Sequence, residues 1–421
     1  MLVFGNTYEY NWLRQGEELS QPVALLPSAD QLFTASSLLS LGWLFPDLTV
    51  ALPSLPSPEW LVYLEERLPH SVKAQAVTHE LGDLSSAVRD SPLGTWSPHT
   101  EVIPWGLTER FVEACQRHSL CCPWVSASSL GPAVARVVDT SDTKVGGNAF
   151  LERVIAMSGS PVRLPETVVV DISQLPRALE TYLRGWGAVV LKANRSWGGR
   201  GVYVIRQNSD RLNICRLLAD HGRRTLDSTV CLQRHVGDVP PWNALSADYS
   251  AWHSGRSKVF FGTVSMDSTS CVGGKFGKSS HWAENYVRDL VISCSEELAR
   301  LGYLGWFDID LIADKETIFV TEINVRMTGG TVPFAIAEAL HGPKWSEHIA
   351  LQWRDKLAVD LRALGRIKGI EREARLRGCE FLCTNIARMH ESSALVSIMV
   401  VGSSPENVGP VLVNAIRTLS E

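Results

Sequence analysis

The chain has 421 residues, 45% of them hydrophobic and 20% charged, with 45 acids against 40 bases and a net charge of −5. That length exceeds one ordinary core, so two or three domains are expected, and the composition excludes a disordered polypeptide. The small acidic excess excludes proteins that hold nucleic acid on a basic surface.

Residues Met1 to Tyr10 carry no basic stretch and meet Asn6 and Glu9 early, so no signal peptide is expected there. No apolar run approaches the ~20 residues of a membrane span. The nine cysteines include no Cys-x-x-Cys pair, and neither Cys121–Cys122 nor Cys379 with Cys383 matches a zinc or redox spacing. They read as reduced, mostly buried thiols of a cytoplasmic protein.

In chain order, Leu2–Gly5, Val23–Leu26, Leu48–Leu52 and Glu101–Pro104 are strand-like. Glu59–Leu68 and Thr108–His118 have helical spacing. Strands alternating with helices predict an α/β domain with mainly parallel strands. The turn-rich Ser126–Gly131 leads to Thr140–Asn148, read as a polar loop carrying Lys144 and two glycines. A solvated lysine is the ordinary reading of Lys144.

The middle of the chain changes character. Gly187–Ala193 and Gly201–Arg206 are expected as antiparallel strands, and Val230–Leu232 as another, before the proline-bearing turn Gly237–Trp242. Lys192 ends the apolar run Ala188–Leu191, which places its ammonium at a strand tip. Ser196, Trp197, Gly198, Gly199, Arg200 and Gly201 follow. Glycines let backbone N–H groups approach a polyphosphate, but a strand follows, so this is neither a Walker loop nor a dinucleotide fingerprint. A ligand-free hairpin turn is the other reading. Gln233, Arg234, His235 and Val236 could offer backbone groups to a purine edge, or form an ordinary strand end. Lys275 and Lys278 lie in a Gly-rich basic stretch. Glu284–Leu301 predicts a helix burying Val287, Leu290, Val291, Cys294 and Leu298.

Phe307–Val325 predicts a hairpin, with a second helix from about Val332. A register with the three-residue loop Lys315–Thr317 pairs Phe307 with Val325, Ile309 with Ile323 and Leu311 with Thr321. It also sets Asp310 opposite Glu322 and Asp308 opposite Asn324, with Arg326 extending that polar face. Two carboxylates ~4 Å apart repel by about 4 kcal/mol at an effective dielectric of 20. A solvated face tolerates this through screening. In a cleft the pair needs a cation, and oxygen ligands of this kind suit Mg²⁺ with substrate phosphates. After it, Ile370–Arg377 is helical, Ala394–Val401 is a buried strand, and Ser404 caps a helix starting at Pro405. These form a small C-terminal appendage.

Taken together, Lys144, Lys192 with the Ser196–Gly201 loop, Gln233–Val236, Asp310 and Glu322-Ile323-Asn324-Val325-Arg326 resemble the ATP-grasp superfamily. Glu101–Trp124 and Met327–Thr331 are most similar to the peptide ligases of the pheganomycin type. The resemblance implies a Rossmann-like pre-ATP-grasp α/β domain (1–139), a two-subdomain α+β ATP-grasp fold (140–355) and the α+β appendage (356–421). It implies that Lys144 and Lys192 contact the α- and β-phosphates while Ser196, Gly198, Gly199 and Gly201 close over them. Gln233, Arg234, His235 and Val236 would meet adenine, and Asp238 the ribose. Asp310, Glu322 and Asn324 would hold Mg²⁺, two ions in all. Arg326 and Lys275 would steady the γ-phosphate as catalytic residues. Asp308 stands where family members carry a basic residue, which is a departure.

The implied activity is a carboxylate–amine ligation through an acyl phosphate, with small-molecule or peptide substrates, in a cytoplasmic homodimer without nucleic acid or membrane. A phosphotransferase on the same scaffold, a non-catalytic nucleotide-binding protein and a plain scaffold are the competing readings.

Overall fold

The structure is a computed structural model and describes residues 1–7, 29–52, 54–76, 99–127, 131–195, 201–207, 213–216, 218, 228–236, 244–250, 258–267, 270–277, 284–313 and 317–421. The expected strand Val23–Leu26 and the turn Gly237–Trp242 lie outside the described residues.

Four short strands, β1 (Leu2–Phe4), β2 (Thr49–Leu52), β3 (Lys73–Ala76) and β4 (Val102–Pro104), form a parallel sheet in the order β3-β2-β1-β4. The apolar runs of β1 and β4 are what a sheet covered on both faces requires, and Leu2, Val3 and Phe4 are fully buried. Two of the flanking helices, Pro58–Arg67 and Glu109–Arg117, begin with capping hydroxyls from Ser57 and Thr108.

A second, antiparallel sheet of four strands holds β5 (Thr167–Asp171), β6 (Val189–Ala193), β7 (Val202–Ile205) and β8 (Thr229–Arg234), ordered β5-β8-β6-β7. One face packs on Leu175, Leu179 and Leu183 of the helix Leu175–Trp186, and this makes a core separate from the main one. Strand alternation puts Lys192 and Gln233 on the opposite face.

The third sheet has eight strands: β9 (Ala244–Ser250), β10 (Lys258–Asp267), β11 (Ser270–Gly277), β12 (Phe307–Ala313), β13 (Ile318–Asn324), β14 (Ala350–Asp360), β15 (Cys379–His390) and β16 (Ser393–Gly402), in the order β13-β12-β9-β10-β11-β14-β16-β15. The segment expected as an appendage thus continues the sheet that carries the acidic hairpin. The 355/356 boundary falls inside β14, and 139/140 falls inside the helix Gly131–Ser141. The edge strand β15 is closed by the helical segments that flank the parallel sheet. Ser40 Oγ donates to the Thr384 carbonyl at 2.7 Å, Ser57 Oγ donates to that of Ile386 at 2.9 Å, and the Tyr63 hydroxyl accepts the Cys383 N–H at 3.0 Å. Buried Asn385 donates to the Phe33 carbonyl at 2.6 Å.

The helix Glu284–Arg300 buries all five expected residues. Ser404 does precede Pro405 at the start of the last helix, but its side chain makes no capping bond there.

Candidate active site

The acidic hairpin builds one wall. Asp308 pairs with Asn324, Ile309 with Ile323 and Asp310 with Glu322, as expected. Beyond Asp310 the register shifts, and Leu311 faces Val320 rather than Thr321. This correction has a packing reason, because Leu311 and Val320 are both fully buried, and a bulge at Thr321 lets two apolar chains meet. It also changes the site. The Thr321 hydroxyl donates to the Asp310 carbonyl at 3.2 Å, while its own carbonyl accepts the Lys192 ammonium at 2.8 Å. The bulge therefore joins the small sheet to the large one.

Lys144 does not lie in a polar loop. The expected loop contracts to Asp142 and Thr143, and Lys144 opens the helix Lys144–Ser158, which Thr143 caps by accepting the Gly146 N–H. Two further free N–H groups of that helix end go to Asn194. Lys144 N donates to its carbonyl and Val145 N to its side-chain oxygen, each at 2.9 Å. The glycines thought to make a loop instead permit close approach. A Cβ on Gly147 would lie 2.7 Å from the Ser141 carbonyl oxygen and 3.1 Å from Ile323 Cγ2. That proximity carries the Lys144 ammonium onto Glu322 Oε1 as a buried ion pair. Gly147→Val should push the helix start off β13 and lower stability by about 1–3 kcal/mol. A wild-type melting temperature would refute this role.

The electrostatics follow from crowding. Burial, then the neighbouring Asp308 and Glu322, hold the Asp310 carboxyl well above the usual carboxylate range. Burial also pushes Glu322 up, but Lys144 and Lys192 outweigh it and keep its carboxyl below the usual value. Burial, with Lys144 adding to it, lowers the Lys192 ammonium against the pull of Glu322. Burial between two other carboxylates leaves the Asp310 carboxyl short of compensating positive charge.

Asn324 donates its amide N–H to Asp310 at 3.2 Å and toward Asp308 at 3.5 Å, while its oxygen accepts from Arg326 Nη2 at 2.9 Å. Among the described residues, no group of three or more His, Cys, Asp or Glu encloses a metal by itself. The donor set fits Mg²⁺, which Asp310 and Glu322 would hold with phosphate oxygens completing the shell. Asn324 would join them with its carboxamide oxygen.

Arg326 is buried over the Trp105 ring, with its guanidinium carbon 4.9 Å from the ring centroid, and donates to the Met327 carbonyl at 3.1 Å. Trp105 follows β4, and its amide N–H donates to the side chain of Asn6, just past β1, at 2.9 Å. The carboxyl ends of the parallel strands thus face Arg326, where ligands gather in open α/β sheets.

The remaining expected residues divide. Gln233 shares the cleft face of its sheet with Lys192 and donates to Thr167 Oγ1 at 3.2 Å, whereas Arg234 turns out to Glu166. The Arg234 and His235 N–H groups are taken by the Glu166 and Ala188 carbonyls. Gly201 has φ of +73° and closes the β6–β7 hairpin, its carbonyl accepting the Ala193 N–H at 2.8 Å. Val236 follows β8 half-buried. Ser196, Gly198, Gly199, Asp238 and Lys278 lie outside the described residues. Lys275 is not brought to the acids. Gly262 pairs with Phe276, and β9 relates Gly262 to Asp310, so alternation carries Lys275 to the other face of the sheet. Asp142, Asn194 and Trp105 were missed. Asp142 and Thr143 before a helical run form a legible capping signal, whereas nothing local marks Asn194 or Trp105.

No protein-family model and no curated protein sequence matches the chain. Solved structures do. Biotin carboxylase from Campylobacter jejuni, in a β-γ-ATP complex, superposes with a TM-score of 0.60 at 12% identity, over 99% of this chain and 91% of that one. N5-carboxyaminoimidazole synthetase from Staphylococcus aureus, complexed with ADP, gives 0.59 at 10% identity, over 91% and 95%. The biotin carboxylase domain dimer of Hydrogenobacter thermophilus 2-oxoglutarate carboxylase, with MgADP, ADP and bicarbonate, gives 0.58 at 11% identity, over 99% and 88%. The chain has the mixed α/β fold of these enzymes.

Proposed function

We propose that this protein is an ATP-dependent ligase that joins a carboxylate to an amine through an acyl phosphate, working with Mg²⁺. The observation that carries the reading is the meeting of Asp310 and Glu322, on paired strands, with the ammonium groups of Lys144 and Lys192 from two other elements. The whole-chain likeness to enzymes whose structures hold ATP, ADP or MgADP supports it.

The chemistry follows from charge. A carboxylate oxygen attacks the γ-phosphorus, the bond to the β-γ bridging oxygen breaks, and ADP leaves. Lys144 and Lys192 offset the phosphate charge and hold the chain of phosphates in line. Asp310 and Glu322 would hold Mg²⁺, which would supply Lewis-acid neutralisation of the phosphate charge. An amine then attacks the acyl carbon, phosphate leaves, and the nitrogen releases a proton. Arg326, stacked on Trp105 beyond the acids, faces the negative charge that develops in both steps.

Peptide or amide formation is the finer reading, and bicarbonate, present in one structural relative, is the simplest alternative acid. Phosphate release should appear only when ATP, Mg²⁺, one acid and one amine are combined, with bicarbonate among the acids of the panel. The product should carry the combined mass of the acid and amine less one water. A protein that binds MgATP but releases no phosphate with any pair would sink the proposal.

A further inference from the structure

Asp142 is a buried carboxylate that the reaction above does not use. Its side chain has no solvent exposure. One oxygen accepts the Val325 N–H at 2.8 Å, and the other lies 3.6 Å from Arg326 Nε. Asp142 thus reaches from the step between two helices to the end of β13, two residues before Lys144 and beside Arg326. Arg326 has other rivals for its charge, since Glu322, Asp308 and Asp310 share one polar face and Arg326 already helps hold the Glu322 carboxyl down. A guanidinium free to swing would pair with those acids and compete with the metal ion. Asp142 supplies a counter-charge on the side away from them, and Trp105 supplies a flat surface. The order that results runs from Asp142 to Arg326, from Arg326 Nη2 to the Asn324 oxygen, and from the Asn324 amide to Asp310.

We propose that Asp142 is a positioning residue that anchors Arg326 toward the γ-phosphate and keeps it off the metal-binding carboxylates. This rests on the ligase reading, in which Arg326 meets the γ-phosphate. A purely structural Asp142 needs only to accept the Val325 N–H. Asp142→Asn separates the two roles, because its side-chain oxygen can still accept that bond while the charge beside Arg326 is gone.

The test is calorimetric titration of the full chain with MgATP and with MgADP, since only ATP carries the γ-phosphate. Asp142→Asn should lose about ten- to hundredfold in ATP affinity, the scale of the coupling between charged groups in contact, and change little toward ADP. In an Arg326→Met background the same substitution should have no further effect on ATP. If Asp142→Asn does not fold, because its amide faces the guanidinium, adding Arg326→Met should restore folding. A double variant that stays unfolded overturns the assignment, as does an ATP-to-ADP preference in Asp142→Asn equal to wild type. Wild-type protein that binds neither nucleotide would instead bring down the ligase reading itself.

Discussion

Glu322→Gln will leave a folded protein whose turnover falls by about a thousandfold or more. Glu322 is the carboxylate that Lys144 and Lys192 keep ionised despite burial, so it is the acid best prepared to hold a divalent cation. Glutamine preserves its shape and one acceptor oxygen but removes the charge. Stability should change by only about 1 kcal/mol, because two effects oppose each other. The Lys144 ion pair is lost, while Asp310 is relieved of one of the two carboxylates that crowd it. ADP release and a thermal melt, run side by side, decide the matter. Unchanged turnover with Mg²⁺ would refute the metal assignment, and an unfolded variant would show that the ion pair is structural.

Lys192→Ala should weaken MgATP binding by about 30- to 150-fold, or 2–3 kcal/mol, the worth of a charge-assisted bond in a buried site. Two features set Lys192 apart from a surface lysine. It is buried, 7% exposed, and its ammonium donates to the carbonyl of the bulged Thr321 on the opposite sheet. Burial disfavours its charge and the nearby acids offset this only in part, so an arriving polyphosphate meets an ammonium already desolvated and aimed. Alanine also leaves the Thr321 carbonyl without that donor, so the melting temperature should drop as well. Isothermal titration checks the first claim, and equal affinity would remove Lys192 from the phosphate site.

Much of this was legible in one dimension. The alternation of Phe307, Ile309 and Leu311 against Asp308 and Asp310 placed the acids on one face, and three pairs of the expected register stand. The bulge was not legible, because it follows from Val320 being needed in the core, a matter of what lies beneath the sheet. Lys275 was misplaced for a related reason. Its Gly-rich surroundings suggested a loop, whereas it sits in β11, where pairing decides the face. The C-terminal strands read correctly as strands, but no local signal says which sheet a strand joins.

From sequence alone came the strands and helices with strong periodicity, the buried face of the helix Glu284–Arg300, and the chemical character of the acidic hairpin. These depend on neighbours two to four residues apart, which periodicity records directly. Only the folded chain decided that Lys144 meets Glu322 across 178 residues, and that Asp142 meets the Val325 amide across 183. Such contacts arise where glycine lets two backbones close together and where a buried polar group must find its partner in space. No stretch of sequence around either partner contains that information.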